Sequence, residues 1–161
     1  MHQLDLSSIS ILRSIFAMGA LSFVMWVWVG ATRLPTMRRL GIPLQDAAHV
    51  VELRARLPAS ATKVSDNYNH LFETPTLFYA IALAIVMAGA ADPIQVFCAW
   101  AFVVLRVLHS LVHATINSVA LRAPLFALCW AALATMIVHG AATSGIQATQ
   151  SGSTHLTCRA S

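Results

Sequence analysis

The chain has 161 residues, 58% of them hydrophobic and only 10% charged, with a mean hydropathy of +0.71. That length holds one domain or one small bundle, and the composition excludes a disordered chain and argues against a water-soluble enzyme. A formal net charge of +4 would suggest nucleic acid in a soluble protein. Here the basic residues sit between long apolar runs, where loop charge encodes membrane orientation, and no nucleic-acid partner is expected.

A helix needs about 20 mostly apolar residues to cross the hydrocarbon core. Segments 11–31, 67–90, 94–116 and 123–142 meet that requirement. The expected fold class is therefore all-α, an integral membrane four-helix bundle forming a single domain over residues 1–142. The first segment has no basic region before it, and Arg33, Arg38 and Arg39 follow its apolar run; it is expected to remain as an uncleaved helix. The connection 33–66 carries Arg33, Arg38, Arg39, Arg54, Arg56 and Lys63, whereas the turn at Asp92 and Pro93 has no basic residue. The positive-inside rule then puts loop 33–66 and the turn before Arg122 in the cytoplasm, and both termini on the periplasmic or lumenal side. Within the loop, residues 46–57 (DAAHVVELRARL), bracketed by Pro43 and Pro58, read as a short amphipathic helix at the interface, with His49 interfacial as well.

In the second segment, Pro75 lacks an amide hydrogen and is expected to kink the helix just past Glu73. Residues 143–161 are rich in Ser, Thr, Gly and Gln without apolar periodicity, and a poorly ordered tail is expected there. Cys98, Cys129 and Cys158 are odd in number and widely spaced, so they form no disulfide framework and no zinc pattern.

Ionisable side chains inside a membrane segment are expensive, which makes each a functional candidate. On the third segment Arg106, His109, His113 and Asn117 recur at spacings of three, four and four residues, which keeps them on one narrow face. On the second, Asp66, Asn69, His70 and Glu73 share a face about 100° wide. At 1.5 Å per residue, Glu73 lies about 9 Å and His109 about 10 Å from the cytoplasmic ends of their helices, with Arg106 one turn deeper. Arg33 ends the first helix and Arg122 opens the fourth at the same mouth. Arginines clamp carboxylates and Glu73 can accept an ammonium, so the constellation suits a small acidic ligand that also carries a positive group. Glutathione fits that description, as do other acidic metabolites.

The same residues admit plainer readings. Glu73 and Arg106 could form a buried ion pair that fastens two helices, and Arg122 could be an orientation anchor that snorkels to the headgroups. The pair His109 and His113 suits zinc or iron, but clear further ligands beyond His70 and Glu73 are missing, and no metal is expected. The alternative to a ligand-binding enzyme is a non-enzymatic membrane protein whose polar residues fasten helices or bind a lipid headgroup.

Two stretches, DNYNHLFETPTLFYA (66–80) and LRVLHSLVHATINSVALRAPLF (105–126), resemble the MAPEG family, the membrane-associated proteins in eicosanoid and glutathione metabolism. The first is similar to the family's Asn-x-x-Glu followed by Pro, and the second to the Arg-x-x-His-Ser-x-x-His-x-Thr-x-Asn pattern of bacterial members. The resemblance implies a homotrimer in the lipid bilayer of a bacterial inner membrane, both termini periplasmic, with glutathione as co-substrate bound between protomers at the cytoplasmic side. It further implies a transferase or peroxidase acting on a hydrophobic electrophile or hydroperoxide. Arg122 matches the arginine that assists the glutathione thiol and is the catalytic candidate. Glu73, Arg106 and His109 match ligand-binding positions, and His70, His113, Arg33 and Asn69 complete the candidate ligand set. The chain departs from the better-known members at His70, which stands in place of Asn, at Asn69 in place of a basic residue, and at His113 in place of Tyr. Ala123 and Phe126 stand where some synthases have Ser and Tyr.

Overall fold

The computed structural model describes residues 5–48 and 50–157; His49, Cys158 and the end of the expected tail lie outside them. Helix α1 spans Leu6–Arg39, a 3-10 turn Leu44–Ala48 and helix α2 Val50–Arg56 follow, and α3 spans Ala59–His70, α4 Thr74–Met87, α5 Pro93–Ala114 and α6 Val119–Thr157. Among the described residues there is no β-strand.

The ends of these helices follow from local chemistry. The Asp5 carboxylate accepts the Ser8 amide at 3.0 Å and the Asp92 carboxylate the Gln95 amide at 2.8 Å, each satisfying an amide that the first turn leaves without a partner. Helix α1 runs on past its apolar stretch to Arg39 and stops at Gly41, whose φ of 63° is cheap only without a Cβ. Ile42 N–H returning to the Met37 carbonyl closes that end. The connection is therefore shorter than expected from the basic residues alone. Its sequence forms the 3-10 turn and α2, with Leu53 buried against Met37 and Ile42 and Val51 left exposed. Helix α6 continues past residue 142 to Thr157, where composition gave no reason for order. No proline follows Pro124, and a helix already formed extends without repeating its nucleation step.

Four stretches are long and apolar enough to cross a membrane: Leu6–Arg39, Ala59–Met87, Pro93–Ala114 and Val119–Thr143. At 1.5 Å per residue the shortest of them, the 22 residues of α5, reaches about 33 Å, matching a hydrocarbon core of about 30 Å. Large apolar side chains such as Phe16, Phe23, Phe97, Val104 and Val138 point outward, as lipid-facing residues do.

Helix α5 is the most buried span and carries the centre of the bundle. Phe102 stacks on Phe78 of α4 with ring centroids 4.5 Å apart, Met18 and Met25 close the core from α1, and Cys129, Leu133 and Met136 close it from α6. A Cβ on Gly140 of α6 would come within 3.1 Å of Ile85 and 3.2 Å of the Gln95 amide, so a glycine there lets α4, α5 and α6 meet closely. The Gln95 amide donates to the Met136 carbonyl at 3.2 Å in that contact.

Candidate functional site

The second span breaks between α3 and α4. Pro75 cannot donate to the Leu71 carbonyl, and the chain crosses the gap with three bonds that each span three residues instead of four, Leu71 N–H to Tyr68 O, Phe72 N–H to Asn69 O and, at 3.5 Å, Glu73 N–H to His70 O. The helix resumes at Thr74 with Pro75 in its first turn, the position where a missing N–H costs nothing. This turn folds Glu73 back toward His70, and His70 Nδ1 lies 2.9 Å from Glu73 Oε2. Their side chains are 42% and 62% exposed, so the pair stands at the protein surface, open to whatever lies beside it.

Helix α5 presents its polar face to that pair. His113 lies with its ring 5.5 Å from that of His70 and 5.8 Å from that of His109. His109 and His113 are only 5% and 3% exposed, and the Nδ1 of each has no hydrogen-bond partner among the described residues. Arg106 is 1% exposed and lies over the rings of Phe102 and Phe126, its Cζ 5.7 and 5.5 Å from their centroids. Its Nε and Nη2 likewise lack a partner. No ion pair joins Arg106 to Glu73 among the described residues; the Glu73 carboxylate engages His70 instead.

The link between α5 and α6 completes the arrangement. Asn117 adopts φ 56°, its N–H donates to the Val112 carbonyl at 2.7 Å, and its side-chain oxygen accepts from Arg122 Nη1 at 2.5 Å. Arg122, His70, His109, Val119, Ala123 and Phe126 line a cavity of about 200 Å³. The residues expected at one site thus divide into groups. His70, Glu73, His109, His113 and Arg122 come together between α3, α5 and α6, and Arg106 is packed behind them rather than lining the cavity.

Arg33 and Asn69 stand elsewhere, in a cleft of about 390 Å³ between α1, α2 and α3 shared with Trp26, Arg54 and Asp66. There Arg54 is tied to Asp66 by two bonds of 2.8 Å, while Arg33 makes no ion pair among the described residues. A larger groove, about 720 Å³, runs along α1 from Trp26 to Arg38 and touches none of the histidines. No three His, Cys, Asp or Glu side chains converge as a metal ion requires among the described residues.

The profile of the MAPEG family matches residues 11–142. The chain belongs to the MAPEG family. No match was found among curated proteins or among solved structures. Four membrane-spanning stretches and MAPEG membership make it an all-helical integral membrane protein, in a family that includes glutathione transferases, peroxidases and non-enzymatic members. MAPEG members commonly use glutathione. Two residues at this end, noted in the sequence but left out of the ligand set, also belong to the arrangement. Asn117 stands on the same face of the third segment and binds Arg122, and Phe126 packs over Arg106 with its ring 6.0 Å from His109. The spacing of the polar stripe pointed to Asn117, and the resemblance marked Phe126 only as a departure from the Tyr of some synthases; the structure is what makes it a wall of the cavity beside Ala123.

Proposed function

We propose that this MAPEG protein is a glutathione-dependent transferase or peroxidase acting on hydrophobic electrophiles or hydroperoxides that arrive through the lipid. The observation that carries the reading is the meeting of Arg122, His70 and His109 around one cavity, with Glu73 at its edge. In this reading Arg122 stabilises the glutathione thiolate, the reactive form of a thiol that otherwise titrates near a pKa of about 8.5. Glu73 receives the ligand's ammonium, and the buried His109 and His113, with unpartnered Nδ1 atoms, offer hydrogen bonds to its carboxylates or amides. The thiolate sulfur then bonds to the electrophilic carbon as the leaving group departs with its electron pair, or to the outer hydroperoxide oxygen as the O–O bond breaks, giving a sulfenic acid and an alkoxide that takes up the proton released by the thiol. A second glutathione then converts the sulfenic acid to the disulfide and water.

The cavity of about 200 Å³ is smaller than the roughly 300 to 1,000 Å³ usual for sites that enclose a small ligand. A tripeptide would protrude from it past the exposed Glu73. A homotrimer in which the cleft holding Arg33 and Asn69 on one protomer faces the cavity of the next would supply the missing wall and an unpaired guanidinium. Loop 40–58 and the Arg122 turn face the cytoplasm in this arrangement, by the excess of arginine around them.

Calorimetric titration of glutathione into detergent-purified protein tests the reading. Saturable binding to the wild type is expected, lost in Arg122→Ala and weakened about tenfold or more in Glu73→Gln, as for removal of a charge-assisted bond. Absence of binding to a well-folded wild type would contradict it.

A further inference from the structure

Asn117 is the only non-glycine residue with positive φ among those described, and it lies at the hinge from which α6 departs. Asparagine is one of the few residues that enters this backbone region at modest cost. Yet a glycine would serve the backbone alone, and the side chain has a separate occupation: its Oδ1 accepts a 2.5 Å bond from Arg122 Nη1, five residues further along the chain. Nothing else among the described residues bonds the Arg122 side chain, and its buried Nε has no partner. The bond takes up one corner of the guanidinium and leaves the Nε and Nη2 edge without a hydrogen bond among the described residues. That edge is the one through which arginine grips an anion by two parallel bonds.

We propose that Asn117 is the positioning residue for Arg122: its left-handed backbone sets the direction in which α6 leaves the hinge, and its amide oxygen fixes the guanidinium plane so that the Nε and Nη2 edge serves the cavity. This deepens the glutathione reading and rests on it for the identity of the anion. Without the bond, Arg122 on its long flexible stem must be ordered by the ligand itself, and binding weakens accordingly.

The test compares wild type, Asn117→Gly and Asn117→Asp in detergent. Glycine keeps the backbone conformation and removes the acceptor; aspartate keeps both. The first readout is nitrogen NMR of the Arg122 guanidinium in ligand-free protein, and the second is glutathione affinity with the pH at which the bound thiol ionises. Wild type and Asn117→Asp are expected to show slowly rotating, resolved Arg122 resonances, which collapse to an average in Asn117→Gly. Asn117→Gly is also expected to bind glutathione about tenfold more weakly, with thiol ionisation moved up toward the free value of about 8.5. A guanidinium as ordered in Asn117→Gly as in wild type would overturn the proposal, whatever the affinity does. If the wild type binds no glutathione, the ligand reading fails by itself, and the resonances still decide whether Asn117 holds Arg122.

Discussion

Arg106 shows what a single side chain asks of this bundle. A guanidinium that is 1% exposed and has no ion-pair partner among the described residues should cost several kcal/mol unless a ligand, water or a neighbouring protomer compensates it. Its stack against Phe102 and Phe126 returns part of that through cation–π attraction, on the order of 1 to 2 kcal/mol. Arg106→Met is therefore expected to leave ligand-free stability unchanged or raise it by about 1 kcal/mol, as replacement of a buried uncompensated charge does. Thermal unfolding in detergent checks this; a strong destabilisation would instead mark Arg106 as a helix fastener. The α5 stripe was legible because 100° per residue fixes direction around a single helix. What the sequence did not carry was the positive φ of Asn117, since an asparagine before a serine is compatible with several turns.

At the scale of elements, Pro75 does more than kink a helix. By denying the Leu71 carbonyl its donor it creates the turn that joins His70 to Glu73. Pro75→Ala is expected to let α3 and α4 run continuously, separate that pair and weaken glutathione binding about tenfold, with thermal stability maintained or raised; calorimetry and unfolding on one preparation check both. At the opposite end, the Asp92 carboxylate caps α5 and lies 2.5 Å from His139 on α6. Partial burial pushes the Asp92 carboxyl up, but the Gln95 amide and His139 outweigh it, so it titrates below the usual carboxylate range. The stability that this cap contributes is present at neutral pH and is lost as pH falls through the lowered value. Asp92→Ala should cost about 1 kcal/mol at neutral pH, the usual worth of an N-cap, and the difference from wild type should shrink in acid. Unfolding measured across pH checks that sign. The interruption at Pro75 was readable in advance, whereas the caps by Asp5 and Asp92 came only with the structure. The run of α1 to Arg39 was not readable either, because charged residues at a helix end look the same as charged residues in a loop.

At the scale of the molecule, four apolar stretches of membrane-crossing length dictated the bundle, and hydropathy alone made them visible. Helical rise sets depth along the membrane normal, and by that measure His70, Glu73, His109 and His113 lie at matching depth, with Arg33 and Arg122 at the same cytoplasmic mouth. Height says nothing about bearing around the bundle. Helix α3 lies between α1 on one side and α5 on the other, so neighbouring residues on one stripe face different clefts, Asn69 toward Arg33 and His70 toward Arg122. A protomer thus carries two separate clefts, and in the proposed homotrimer the Arg33 cleft of each protomer meets the Arg122 cavity of the next.

Co-assembly of two defective chains addresses that arrangement directly. Arg33→Ala and Arg122→Ala are prepared as separate oligomers and as mixed oligomers isolated through two different affinity tags, and glutathione binding is titrated in each. Neither separate oligomer is expected to bind, whereas the mixed oligomers regain a fraction of wild-type capacity at wild-type affinity, because some junctions again hold both arginines. Mixed oligomers that stay as inactive as their parents would contradict a site shared between protomers.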